Sequence, residues 1–233
     1  MNKEEFNKEV IKLGITLTPT MEEQLETYYK ILIEENKKYN LTGITILEDV
    51  YLKHFYDSLT LYKVIKLDDE SICDIGTGAG FPGLVLKIVF PNLKVTLVES
   101  NKKKCNFLNI VKEKLNLNNL IIINARAEDY SKTNREIFDI VTSRAVAPIK
   151  HLLEYSIPLV KVKGHYIAMK SNIDKEIANI DNYYKKLSIT KENEIKFYLP
   201  KENSLRTLIM YKKESKTNPI YPRRYNEIKK KDI

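Results

Sequence analysis

Residues 74 to 83 read Asp74-Ile75-Gly76-Thr77-Gly78-Ala79-Gly80-Phe81-Pro82-Gly83, and hold four of the chain's seven glycines. Glycine is costly in chain entropy. Such a cluster in a glycine-poor chain marks backbone that must turn sharply or pass close to a ligand. The apolar run Ile72-Cys73-Asp74-Ile75 precedes the loop and a helical pattern follows it. That places a ligand at the carboxyl end of a strand, where open α/β sheets bind theirs. Glu99 closes the next apolar run. A carboxylate there can accept hydrogen bonds from both ribose hydroxyls of an adenosine.

Two cofactor classes fit this loop. Gly78-x-Gly80-x-x-Gly83 satisfies the dinucleotide pattern, with Glu99 as its ribose acid, which would make the chain an NAD(P)- or FAD-binding oxidoreductase. Asp74 favours the other class. A dinucleotide loop turns backbone N–H groups toward a pyrophosphate, and a carboxylate beside it would repel that charge. S-adenosyl-L-methionine (SAM) has no phosphate and carries an ammonium and a sulfonium, so Asp74 suits it. Ala127-Glu128 lies three residues past the third strand-like run, in a segment read as a loop that flanks the adenine. Ser143-Arg144-Ala145 follows the fourth run, at the mouth of the same cleft. Arg144 there can bind a carboxylate bidentately or hold a substrate phosphate.

The fourth run is not followed by the Asn/Asp-Pro-Pro-aromatic turn that serves exocyclic amines. Methylating a pyrimidine carbon needs a cysteine nucleophile. Cys73 falls inside the first strand and Cys105 on a crossover helix, and both read as small hydrophobes. A target with its own free lone pair, such as guanine N7, needs no deprotonation. Catalysis is then alignment and exclusion of water. No residue is assigned a catalytic step, with Arg144 the one candidate. A non-catalytic RNA-binding module that keeps only the shape of the fold is a third reading.

The elements that must position these residues follow from periodicity. Residues 4–13 carry apolar positions at helical spacing, and a second helix opens at Thr18-Pro19-Thr20, where Thr20 with Glu23 fits a capping box. A third runs from about residue 48 to 62. His54 and Asp57 share one of its faces and are expected to pack against the glycine loop; His151 and His165 read as structural. Strands at 72–75, 94–99, 120–124, 138–142 and 165–170 alternate with helices near 83–90, 102–115, 149–159 and 175–186, which implies right-handed crossovers and a parallel sheet. Runs at 195–199 and 205–212, split by Pro200-Lys201-Glu202-Asn203-Ser204, predict an antiparallel edge hairpin. The fold class is therefore α/β, a Rossmann-like sheet with that hairpin and a helical N-terminal extension; with SAM as the ligand of its loop, it is expected to be a class I SAM-dependent methyltransferase sheet. The boundaries are 1–65 for the extension, 66–212 for the SAM-binding core and 213–233 for a basic tail. The tail is expected to lie extended, clear of the cofactor.

The chain carries a formal net charge of +8 and a pI of about 9.1, which favours a polyanionic partner. The surplus is uneven. Residues 1–50 hold six lysines against ten acidic residues, net −4, whereas residues 212–233 reach net +5. Lys102-Lys103-Lys104 forms a second basic cluster just after Glu99. Lys102, Lys103, Arg223 and Arg224 are thus candidates for RNA phosphates. Two cysteines rule out a disulfide scaffold and a four-cysteine zinc site. No apolar run spans a membrane and none resembles a signal peptide. The reading is cytoplasmic and monomeric, with no metal and no membrane.

Asn40-Leu41-Thr42-Gly43, His54-x-x-Asp57-Ser58-Leu59, the loop from Asp74 to Gly83, and Ser143-Arg144-Ala145-Val146-Ala147 together resemble one family over nearly the whole chain. It is the bacterial 16S ribosomal RNA guanine-N7 methyltransferases, also called glucose-inhibited division protein B. The resemblance implies that Gly76, Phe81, Ala127, Glu128 and Arg144 contact SAM and that Glu99 holds its ribose. It implies 16S ribosomal RNA, free or in the small-subunit particle, as partner, with Asn40 and the N-terminal helices beside it. Tyr221-Pro222-Arg223-Arg224 matches the family's basic tail; Tyr225-Asn226-Glu227-Ile228 then lacks the glycine usual there. Asp74, Gly78 and Gly80 complete the cofactor set.

Overall fold

The computed structural model describes residues 1–173, 176 and 180–233. Helix α1, Lys3–Lys12, is capped by Asn2, whose side chain accepts from the Glu5 amide at 2.9 Å. Helix α2, Pro19–Tyr39, starts two residues earlier than a Thr20 cap suggested. Thr18 is the cap, accepting from Met21 N at 3.3 Å, and Pro19 takes the first turn, where its missing N–H costs nothing. The third helical stretch changes pitch: α3, Leu47–Val50, a π-helical segment Tyr51–Tyr56, α4, Asp57–Leu59, and a 3-10 turn Thr60–Lys63.

The sheet then begins. In chain order come β1 (Ser71–Ile75), α5 (Gly83–Val89), β2 (Lys94–Glu99), α6 (Lys102–Lys114), β3 (Leu120–Asn124), α7 (Ala127–Thr133) and β4 (Phe138–Arg144). They are followed by α8 (Ile149–Ser156), a 3-10 turn (Ile157–Leu159), β5 (Val160–Lys170), α9 (Asp181–Leu187), β6 (Ile189–Tyr198) and β7 (Leu205–Lys213). The strand order is β3-β2-β1-β4-β5-β7-β6; β1 to β5 are parallel, and β7 runs antiparallel to both neighbours. The expected hairpin is present and longer than its apolar runs. Strand β5 likewise starts at Val160 rather than at residue 165. The start of the helix expected over 175–186 includes residues 175 and 177–179, which lie outside the described residues.

Two expectations are corrected. Ala127-Glu128 is the first turn of α7 and not a loop. The tail is not extended throughout: Tyr225–Lys230 form helix α10, with Ile228 2 % exposed in the core. A single apolar residue, Ile228, in a run rich in lysine is too faint a pattern to announce a docked helix.

Alternation along the strands gives the sheet two apolar faces. Ile72, Val95, Leu97, Ile140 and Ile167 enter one core with Phe6, Tyr28, Phe55 and Phe107. Cys73, Val98, Val141 and Tyr166 enter the other with α8, α9, Tyr221 and Ile228. The chain leaves β1 toward β2 and crosses back to β4 on β1's other side. The crevice between the carboxyl ends of β1 and β4 is thus the sheet's switch point, where this architecture opens room for a ligand.

Candidate functional site

A cavity of about 430 Å³ lies at that switch point. Ile75 and Gly76 line it from β1, Val98 and Ser100 from β2, Ala125 to Glu128 from β3 and α7, Val146 to Pro148 from β4, and His151 and Tyr155 from α8. Tyr225 and Lys229 close it from the tail. Gly76 sits at φ +66°, and a Cβ there would meet Val146 Cγ1 at 2.7 Å. The narrow passage between the β1 and β4 loops therefore requires a glycine.

Three carboxylates stand behind or beside this cavity. Asp74 is fully buried. Its Oδ2 accepts from Thr77 Oγ1 at 2.6 Å and from Gly83 N at 2.8 Å, while its Oδ1 has no partner among the described residues. Burial raises its pKa to about 6, outweighing the two hydrogen bonds that favour the charged form. Glu99 braces the loop: Oε2 accepts from Gly78 N at 3.0 Å and Oε1 from Asn101 N at 2.7 Å. Each oxygen keeps further acceptor capacity. Glu128 is 6 % exposed, lines the cavity, and has an Oε1 with no partner among the described residues. Buried acceptors without donors are costly unless a ligand supplies the donors.

A phosphate fits this arrangement poorly. Gly83 opens α5, and its N–H, which a pyrophosphate would take, is already bonded to Asp74. A Cβ on Gly83 would lie 2.3 Å from Leu97 Cδ2. The third glycine of the pattern therefore serves helix-to-strand packing. A cationic ligand with hydroxyl and amine donors suits the unpartnered acceptors better, and SAM is such a ligand.

The remaining cofactor candidates take other places. Gly78 sits at φ +61°, and a Cβ there would come no closer than 4.0 Å to Gly76 O and Lys104 Nζ, an ordinary contact. Gly80 packs instead: a Cβ would strike Leu84 and the Tyr28 hydroxyl. Phe81 is buried and outside the cavity. It stacks on His54 at 4.2 Å and on Tyr28 at 5.6 Å, and the Arg144 guanidinium lies 5.1 Å over its ring.

Arg144 faces a second cavity of about 320 Å³, lined also by Ile44, Lys53, His54, Asp57, Ala145, Met169, Arg206 and Leu208. The β4 loop divides the two spaces, with Arg144 and Ala145 on one side and Val146 and Ala147 on the other. Arg144 donates to Asp57 Oδ2 at 3.2 Å, to the Lys53 carbonyl at 3.0 Å and to His54 Nδ1 at 3.2 Å. Arginine can only donate, so His54 Nδ1 carries a lone pair and Nε2 the proton, which it gives to Thr42 Oγ1 at 2.9 Å. Burial, reinforced by Arg144, lowers the His54 pKa to about 3 and keeps the ring neutral. Asp57 Oδ1 accepts from Arg206 Nε at 3.0 Å. His54 and Asp57 thus meet the glycine loop as expected, through Phe81 and Arg144. The sequence reading missed Arg206, along with Tyr155, His151, Tyr225 and Lys229 in the first cavity. The one available signal was His151, two residues into α8 and one strand end from the loop.

The RNA candidates divide. Asn40 ends α2 at φ 48° and is exposed; the turn after it reaches the second cavity through Thr42 and His54. Lys102 and Lys103 are exposed in the first turn of α6, where the helix dipole disfavours cations. Arg224 is exposed. Arg223 is corrected: its Nε and Nη2 donate to Glu154 at 2.8 and 2.7 Å, and Glu154 is fully buried. That guanidinium anchors the tail and is not free for a phosphate.

Comparison with known proteins bears on this geometry. The family described as rRNA small subunit methyltransferase G matches residues 21–205. The ribosomal RNA small subunit methyltransferase G of Mycoplasma capricolum is 47% identical over 218 residues, 93% of this chain and 94% of that protein. That of Bacillus cytotoxicus is 45% identical over 228 residues, 96% and 95% of the two chains. Among solved structures, M. jannaschii TYW2 in complex with AdoMet is similar with a TM-score of 0.56 at 15% identity, covering 73% of this chain and 77% of its own. Precorrin-6y C5,15-methyltransferase from Geobacter metallireducens gives 0.52 at 16% identity, covering 77% and 96%. At such identities these structures speak for the fold alone.

Proposed function

The chain belongs to the rRNA small subunit methyltransferase G family, and from that premise we propose how its two cavities divide the work. It is a SAM-dependent methyltransferase acting on 16S ribosomal RNA of the small subunit. The finer reading is that the acceptor is N7 of a guanine, entering the second cavity while SAM fills the first. SAM supplies an electrophilic methyl group on its sulfonium sulfur.

The chain's own residues do the rest. Glu99 accepts from the ribose hydroxyls and Glu128 from donors on the base, while Asp74 opposes the cationic end across the loop. Gly76 and Val146 set the close approach of the β1 and β4 loops at the wall of the first cavity. Ile44, Met169 and Leu208 give the second cavity apolar walls against which a planar base can lie. Arg144 and Arg206 present donors there, and the O6/N7 edge of guanine presents acceptors only. One arginine donating to O6 leaves the N7 lone pair free to attack. No base is needed to remove a proton, so alignment and exclusion of water carry the rate.

The observation that carries this reading is the switch-point cavity with Glu128 in its wall and Asp74 buried behind the loop, each carboxylate keeping one buried oxygen with no hydrogen-bond partner among the described residues. Residues 1–65 act as the helical flank of the second cavity, 66–212 as the cofactor core and 213–233 as a basic tail. Action as a cytoplasmic monomer belongs to the same proposal. The test is transfer from methyl-labelled SAM to small-subunit particles and to naked 16S RNA, with the labelled nucleoside then identified. N7-methylguanosine is expected. Labelled cytidine or adenosine would overturn the acceptor assignment, and binding of NAD in place of SAM would overturn the cofactor.

A further inference from the structure

The tail was expected to stay clear of the cofactor, yet Tyr225 and Lys229 of α10 line the switch-point cavity. The segment is docked at several points. Arg223 is held by Glu154 through its guanidinium and also through its backbone N–H, at 2.9 Å. Arg135 donates to the carbonyls of Tyr221 at 2.6 Å and Thr217 at 2.8 Å. Ile228 is buried against the second core, and Asp232 pairs with Lys150 and accepts from the Tyr183 hydroxyl at 3.2 Å. These contacts bring the Tyr225 ring to the β3 side of the cavity, where the Arg126 guanidinium lies 5.5 Å over it.

That side is where a nucleobase would lie. Glu99, the ribose acid, pairs in register with Asn124 at the end of β3. Beyond it stand Ala127 and Glu128, both lining the cavity, and Glu128 Oε1 has no hydrogen-bond partner among the described residues. The cationic end of the cofactor belongs on the opposite side, toward Asp74 and β4. We infer that Tyr225 is a cofactor-binding residue of this enzyme, an aromatic cover for the adenine of SAM delivered by the C-terminal helix. The inference rests on the SAM reading of the cavity given above.

A second consequence follows by linkage. If cofactor contacts α10, cofactor binding favours the docked tail, and the docked tail favours cofactor by the same factor. The exposed cations Arg224, Lys230 and Lys231 ride on that segment.

The test is calorimetric titration of SAM into the full chain and into Tyr225→Ala and Tyr225→Phe, with trypsin cleavage of the tail followed at the same time. Tyr225→Ala should weaken SAM binding by about tenfold or more, within the range for losing a base–aromatic stack. Tyr225→Phe should bind nearly as the unaltered chain does. Saturating SAM should slow cleavage at the tail lysines of the unaltered chain and do so less in Tyr225→Ala. Equal affinity for SAM in Tyr225→Ala and the unaltered chain overturns the inference while leaving the cofactor reading intact. Failure of the unaltered chain to bind SAM overturns both.

Discussion

Asp57 holds Arg144 with one carboxylate oxygen and Arg206 with the other, at 3.2 and 3.0 Å. Among the described residues it is the sole acidic side chain lining the second cavity. Removing it leaves two guanidiniums near each other with their shared counter-charge gone. Breaking a buried ion pair from one side costs about 3–5 kcal/mol. Asp57→Ala should therefore lower the free energy of unfolding by about that much in denaturant titration. SAM affinity should hold, since Asp57 does not line the first cavity, while methyl transfer should be lost. Unchanged stability would show that the carboxylate does not hold the two arginines.

Asp74 should make cofactor binding depend on pH. Its pKa in the fold is about 6, above its ordinary value of 3.8, because burial outweighs the bonds from Thr77 and Gly83. The sign follows from proton counts. Between about pH 4 and 6 the folded chain holds this proton more tightly than the unfolded chain does, so Asp74 makes stability fall as pH rises through that window. SAM binding goes the other way. The carboxylate is the form that favours a cation, so affinity should rise from pH 5 to pH 7. His151 also lines the cavity, with its pKa lowered by burial. Asp74→Asn separates the two: calorimetry at pH 5, 6 and 7 should give a flat profile in the variant. A slope equal to that of the unaltered chain would assign the effect to His151.

Gly78 and Gly83 should fail in different ways. Gly78 has φ +61°, and a Cβ there would touch Gly76 O and Lys104 Nζ at 4.0 Å without a clash. A valine there projects into room meant for ligand, and the left-handed backbone adds about 1–2 kcal/mol of strain. Gly78→Val should stay folded and lose SAM affinity in calorimetry. Gly83→Ala instead drives a Cβ against Leu97 and Asp74. Overpacking of this kind costs about 1–3 kcal/mol, so this variant should lose stability first. Equal SAM affinity in Gly78→Val would remove the loop from the site.

The parts that sequence disclosed are those set by local rules. Strand β1, its glycine loop and Glu99 were legible because alternation, glycine and a strand-ending acid are short-range signals. The antiparallel edge was legible from two apolar runs and the turn between them. Ala127-Glu128 looked like a loop because α7 is short and polar, and it is supported by packing against α8, β2 and the 3-10 turn Ile157–Leu159. Arg206 could not be foreseen: it meets Asp57 across 149 positions, by way of the whole sheet. Arg223 misled for a related reason. A surplus of lysine and arginine in the tail points to a polyanion, whereas the partner of this one arginine is a buried glutamate on α8. Composition measures charge but not which charges are already paired.

The tail therefore carries two kinds of arginine, and a salt titration should separate them. Arg224, Lys102 and Lys103 are exposed. If they hold RNA phosphates, binding of 16S RNA weakens with salt through counterion release, and each lost phosphate contact lowers the slope of log affinity against log salt by about 0.7–0.9. Arg224→Glu and the paired change at Lys102 and Lys103 should each flatten that slope, with the melting temperature kept. Arg223→Glu should behave otherwise. It would set a second carboxylate against Glu154, which is fully buried. The tail should then detach, with a lower melting temperature and faster trypsin cleavage, and the RNA effect should follow from that detachment. Filter binding over a salt series, beside thermal unfolding, reads both effects. If Arg224→Glu leaves the slope unchanged, Arg224 is not part of the RNA site. If Arg223→Glu flattens the slope with no loss of stability, the guanidinium leaves Glu154 to meet a phosphate.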